Sequence, residues 1–90
     1  MTAPTAPLPD ITVYGRRGCP GCDATYRALR KLGVPFTGID IDVINGAADR
    51  VRGLGYISLP VVVVESTGVH WAGFRPDRLR TLTAGNDKAA

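Results

Sequence analysis

Residues 18–22 read Gly18-Cys19-Pro20-Gly21-Cys22, two thiols three positions apart with a proline directly after the first. A proline at the first helical position has its φ already set and lacks only an N–H that would have no partner there, so the spacing predicts a helix that begins at the cysteine pair. The helix is expected to run to Leu32. Cys22, Tyr26 and Leu29 then fall at i, i+4 and i+7, with Ala28 and Leu32 beside them, which gives one apolar stripe and puts Cys22 on its buried side.

Upstream of this stretch, Ile11 to Tyr14 is a short β-rich apolar run that ends at Gly15, and Arg16, Arg17 and Gly18 form a loop into the cysteines. Downstream, Gly33 and Pro35 break the helix, and Val34 to Ile41 supplies a second strand. A strand–helix–strand unit makes a right-handed crossover between parallel neighbours in one sheet. Asn45 is expected to cap a second, short helix with Ala47, Val51 and Leu54 at i, i+4 and i+7, closed by Gly55. Val61 to Val64 is a continuous β-branched run, the pattern of a central strand covered on both faces, with Pro60 at its start. The turn Ser66-Thr67-Gly68 leads into an antiparallel edge strand, Val69 to Ala72. Pro76 opens a last helix carrying Leu79 and Leu82, which Gly85 is expected to end.

The order is βαβ-α-ββ-α: an α/β fold with a four-stranded mixed sheet and three helices, the minimal order of the thioredoxin fold. One domain is expected over residues 10–85, between a tail at 1–9 and another at 86–90. The 90 residues leave no room for a second domain. Hydrophobic residues make up 44% of the chain and charged residues 21%, an ordinary globular balance.

The formal charge is +3, from 11 basic and 8 acidic residues, with the arginines scattered along the chain. That pattern, without a docking motif, argues against a nucleic-acid module, whereas a mild positive field suits an acidic protein partner. Met1 to Pro9 carries three prolines and lacks the basic start and apolar run of a secretion signal. No stretch approaches the roughly 18 apolar residues that span a bilayer. The expectation is a cytoplasmic protein with no membrane contact, in which a close cysteine pair is catalytic or metal-binding before it is a structural staple.

Unpaired N–H groups and the partial positive charge of a helix N-terminus stabilise a thiolate on Cys19, the form that attacks disulfides. Cys22, one turn in, is shielded and close enough to bond to Cys19. The expected mechanism is attack by Cys19, a mixed disulfide, and resolution by Cys22. As a staple the bond would close only about four residues, worth roughly 2 kcal/mol in the chain-entropy view. A zinc or iron–sulfur site would find only two of four ligands here and need a second chain, which leaves a metal-binding or assembly role as the alternative from another class. His70, the one histidine, reads as an exposed strand residue, and no metal ligand set is assigned. Pro60 taken alone reads as a turn residue; beside the cysteine motif it reads as part of the reactive surface.

Ile11-Thr12-Val13-Tyr14, Cys19 and Cys22 with Asp23 to Leu29, Leu54-Gly55-Tyr56, Leu59-Pro60-Val61-Val62 and Trp71-Ala72-Gly73-Phe74-Arg75-Pro76-Asp77 together resemble the NrdH-redoxins, glutaredoxin-like members of the thioredoxin superfamily. The last string discriminates most, since glutaredoxins that use glutathione carry a Gly-Gly-Cys-Asp-Asp-like segment there. The resemblance implies a monomeric dithiol electron donor that binds no dissociable cofactor. Thioredoxin reductase, a flavoprotein drawing on NADPH, would reduce it, and class Ib ribonucleotide reductase would accept its electrons. A glutathione-dependent glutaredoxin is the alternative. Pro60 then resembles the family's cis-proline, and Arg16, Pro20, Gly21, Leu59, Pro60, Trp71, Gly73, Phe74 and Arg75 become the expected partner surface around Cys19 and Cys22, with Arg75 and Asp77 holding their loop by hydrogen bonds. The sequence departs from the family's usual pattern at Pro20-Gly21, where a bulkier pair is common, and at Arg17, where proline is common.

Overall fold

A computed structural model describes residues 10–89; the segment 1–9, read as a tail, lies outside the described residues. The elements are β1 (Ile11–Gly15), α1 (Pro20–Leu32), β2 (Phe36–Asp40), α2 (Ala47–Gly53), β3 (Val61–Val64), β4 (Val69–Ala72) and α3 (Pro76–Ala89). They form one four-stranded sheet in the order β2-β1-β3-β4, with β1 parallel to β2 and antiparallel to β3, and β4 antiparallel to β3 at the edge. This is the expected α/β, thioredoxin-like arrangement.

The unbroken valine run of β3 follows from its place in the sheet. Successive side chains point to opposite faces: Val62 and Val64 join Ile11, Val13, Leu29, Trp71 and Leu79 in one core, and Val61 and Val63 join Tyr14, Ala47 and Val51 in the other. Thus α1 and α3 cover one face and α2 the other. Leu29 and Leu79 are fully buried, and each such side chain contributes about 1.5–3 kcal/mol of apolar burial.

Several boundaries differ from expectation: β2 is shorter than Val34–Ile41, and α2 ends at Gly53 with Leu54 as its C-cap. Asn45 does not cap α2. Gly46 stands at that position with φ +85° and no side-chain cap, because the chain from Asp40 turns tightly, with Val43 and Ile44 amides donating to the Asp40 carbonyl, and needs a left-handed residue to enter the helix. At the other end, α3 runs through Gly85 to Ala89, over most of the segment read as a tail. An isolated glycine costs a helix only about 1 kcal/mol relative to alanine and is tolerated without a breaker after it.

Candidate active site: a cysteine pair at a helix start

The cysteine pair sits where β1 hands over to α1. Cys19 is the N-cap residue in extended backbone conformation, Pro20 follows in the first turn, and the Cys22 amide donates to Cys19 Sγ at 3.1 Å. The Cys19 carbonyl accepts the Asp23 amide at 3.1 Å. The Cα atoms of Cys19 and Cys22 are 5.2 Å apart and the sulfurs are at bonding distance, so the pair forms a disulfide. Its two halves differ in access: Cys19 is half-buried and Cys22 fully buried.

Close approaches of backbone hold this geometry. A Cβ on Gly21 would meet the Pro60 ring at 3.3 Å, so the loop between the cysteines lies directly against Pro60. The Leu59–Pro60 peptide is cis, Pro60 is buried, and its carbonyl accepts the Gly73 amide at 2.7 Å. Gly73 has φ +90°, a conformation that favours glycine. Pro20, Gly21, Leu59, Pro60 and Gly73 are thereby brought around the disulfide. Beside them runs a groove of about 270 Å³ lined by Arg16, Ile41, Arg52, Tyr56, Ile57 and Leu59, among others.

The remaining expected site residues divide. Phe74 is exposed. Arg75 donates from Nε and Nη2 to the two carboxylate oxygens of Asp77, at 3.2 and 3.0 Å. Arg16 makes the same paired contact with Asp42, at 3.1 and 3.0 Å, which holds the Asp42 carboxyl below its ordinary pKa and the guanidinium above its own. Trp71 is 5% exposed and packs among Val62, Leu79 and the rest of the α1/α3 core, with the Arg78 guanidinium 5.6 Å above its ring. His70 is half-buried rather than exposed, its Nδ1 2.8 Å from the Tyr56 hydroxyl.

Three residues at the site were not singled out as functional by sequence. Ile57 is 99% exposed at the groove, where it reads in sequence as one more apolar residue before a strand. Tyr26, assigned only to a helix stripe, and Gly15, assigned only to a strand end, meet behind Cys22. Among the described residues no group of three or more His, Cys, Asp or Glu side chains could hold a metal ion, and no helix is long and apolar enough to cross a membrane.

The family described as Glutaredoxin matches residues 11–70. The chain is 40% identical over 72 residues to the glutaredoxin-like protein NrdH of Salmonella typhimurium, which spans 80% of this chain and 86% of that protein. It is 36% identical over 73 residues to the Gene 56 protein of Mycobacterium phage L5, spanning 80% of this chain and 70% of that one. Among solved structures, the glutaredoxin-like NrdH-redoxin of Escherichia coli, described for its thioredoxin-like activity profile, superposes with a TM-score of 0.74 at 40% identity, over 80% of this chain and 92% of that one.

Proposed function

The chain belongs to the glutaredoxin family as an NrdH-like thiol–disulfide oxidoreductase, and from that premise we propose that it is a cytoplasmic, monomeric electron donor that thioredoxin reductase reduces at the expense of NADPH and that serves class Ib ribonucleotide reductase. The observation that carries the mechanism is the asymmetry of the pair. Cys19 caps a helix and is accessible; Cys22 is fully buried one turn in. Cys19, as thiolate, attacks a partner disulfide, one partner sulfur leaves, and a mixed disulfide forms. Cys22 loses its proton and attacks Cys19 Sγ, the bond between Cys19 and the partner breaks, and the partner departs with both sulfurs reduced.

The partner docks along the groove beside the disulfide. Exposed Ile57 and Phe74 offer apolar contact, Leu59 lines the groove, and Gly21 packs against the Pro60 ring between the groove and Cys19. Thioredoxin reductase is favoured over glutathione as the source of electrons by the NrdH likeness and by the thioredoxin-like profile described for the Escherichia coli relative. The test is NADPH oxidation with a disulfide substrate in two parallel assays, one with thioredoxin reductase and one with glutathione and glutathione reductase. Turnover in the first alone is the expected result; turnover in the second alone transfers the protein to the glutathione users. Delivery to ribonucleotide reductase is read as deoxyribonucleotide formation by a class Ib enzyme supplied with this protein as its only dithiol donor.

A further inference from the structure

Cys22 is fully buried, and burial in apolar surroundings raises a thiol's pKa and starves the resolving step of thiolate. The structure places one polar group behind that sulfur. A Cβ built on Gly15 would lie 2.8 Å from Cys22 Sγ and 3.0 Å from the Tyr26 hydroxyl, so the sulfur and the hydroxyl face the same Cβ-sized space under the end of β1. Gly38, on the neighbouring strand, leaves room for the ring, with its would-be Cβ 3.5 Å from the Tyr26 ring edge. Phe36 then stacks on that ring at 5.4 Å and 7°. The hydroxyl is therefore carried to the underside of Cys22 by the packing of α1 on β1 and β2. Gly15 and Tyr26 also line, with Arg16, Arg17, Asp23 and Asp40, a cleft of about 200 Å³ from which Cys22 itself is shielded.

We propose that Tyr26 is a further residue of the exchange reaction, its hydroxyl donating a hydrogen bond to the Cys22 thiolate during the resolving step. The proposal rests on the assignment of Cys22 as the resolving thiol. Once the Cys19–Cys22 bond is open, Cys22 Sγ is free to turn toward the hydroxyl; its proton leaves for solvent, the thiolate accepts the hydrogen bond, and attack on Cys19 Sγ expels the partner's sulfur as a thiolate that takes up a proton from water. A donor must stay protonated to serve. Burial, followed by the charges of Asp23 and Asp40 and opposed by Arg30, holds the Tyr26 phenol above its ordinary pKa. The charged groups about the ring are thus Asp23 and Arg30 on α1 and Asp40 on β2, with Arg16 and Arg17 across the cleft.

The test separates the two steps in one trace. Reduced protein mixed with stoichiometric 5,5′-dithiobis(2-nitrobenzoate) releases one thionitrobenzoate when Cys19 attacks and a second when Cys22 resolves. Tyr26→Phe keeps the ring and its stacking. It is expected to leave the first release unchanged within about twofold, to slow the second about tenfold at neutral pH, and to move the pH midpoint of the second upward by about one unit, the shift that corresponds to that factor. A second release whose rate and pH profile superimpose on the wild type overturns the proposal. A second release that persists in Cys22→Ser overturns instead the assignment of Cys22, a distinguishable failure. A measurement that leaves position 26 intact guards against a folding defect: in Cys19→Ser, the ring signals of Tyr26 should shift with the titration of Cys22, and signals that stay still through that titration overturn the proposal.

Discussion

The backbone amide of Cys22 points at the sulfur of Cys19, 3.1 Å away. In the dithiol form the same amide, together with the unpaired N–H groups of the first turn of α1, faces whatever charge Cys19 carries. Hydrogen bonds to the charged form and the helix dipole both lower a thiol's pKa. Cys19 is therefore expected to titrate below an ordinary cysteine, with buried Cys22 titrating later. Alkylation rate against pH checks this, with the alkylated site read by mass spectrometry. Cys22→Ser should accumulate a mixed disulfide with its partner and Cys19→Ser should trap nothing; a Cys19 no more reactive than Cys22 at neutral pH overturns the assignment.

Gly15 is needed for its missing side chain. The atoms its Cβ would strike, Cys22 Sγ and Cβ at 2.8 and 3.1 Å, belong to a fully buried residue with little room to move. Gly15→Ala is expected to lower stability by about 1–3 kcal/mol, the usual penalty of overpacking, and to change the reduction potential because the crowded sulfur belongs to the couple. Gly53→Ala is the contrast, since nothing lies within 4 Å of its would-be Cβ at the end of α2. That change should be neutral or stabilising by up to about 1 kcal/mol. Chemical denaturation of both variants decides, and equal effects would show that the contact at Gly15 is not what constrains it.

Element order, sheet class and the position of the cysteine pair were legible because each rests on a local signal: Pro20 for the start of α1, Gly33 for its end, the valine run for β3. What was not legible came from effects that a local signal does not carry. Asn45 has the chemistry of a cap, but the turn at Asp40 sets the backbone so that Gly46 takes the place. Trp71 belongs to a string that distinguishes a surface, yet β4 pairs Trp71 with Val62, and the pleat turns both into the same core. Gly15, Gly38 and Tyr26 are far apart in sequence, and only the parallel pairing of β1 with β2 under α1 assembles them.

The acid limb of stability should be carried by paired carboxylates. The carboxyl of Glu65 is held below its ordinary pKa by hydrogen bonds from Arg50 and then Thr12, that of Asp77 by Arg75 and that of Asp42 by Arg16. Depressed folded pKa values mean that the unfolded chain binds protons first as the pH falls. Their contribution is then complete above the unfolded values, 4.5 for Glu and 3.8 for Asp, and is lost as the pH drops through the lower folded ones. Unfolding free energy should be flat with respect to these groups from pH 7 to about 5 and decline below about 4. Glu65→Gln should cost less than about 1 kcal/mol at neutral pH, as for an exposed pair, and should flatten part of that decline. An acid limb identical to the wild type would remove Glu65 from the account.

Glutathione should be a poor ligand, for a reason found in the loop after β4. A carboxylate ligand needs cationic or N–H donors with free valences. Arg75 spends two of its donors on Asp77, and the Gly73 amide is engaged by the Pro60 carbonyl. Arg16, at the groove, is paired with Asp42, and Arg52 with Asp49. Exposed pairs of this kind are weak individually, but a ligand carboxylate must displace an intramolecular one already in place, so each exchange gains little. Binding of reduced glutathione is expected to be no tighter than millimolar, a free energy weaker than about 4 kcal/mol, with slow reduction of the Cys19–Cys22 disulfide even in excess. Asp77→Asn, which removes the carboxylate charge that competes for Arg75, should tighten binding while leaving the disulfide in place. Calorimetry on both forms is the check. Micromolar binding to the wild type would show that donors other than these arginines hold the ligand and that the loop does not exclude it, whereas an Asp77→Asn form no better than the wild type would show that Arg75 is not the group the ligand lacks.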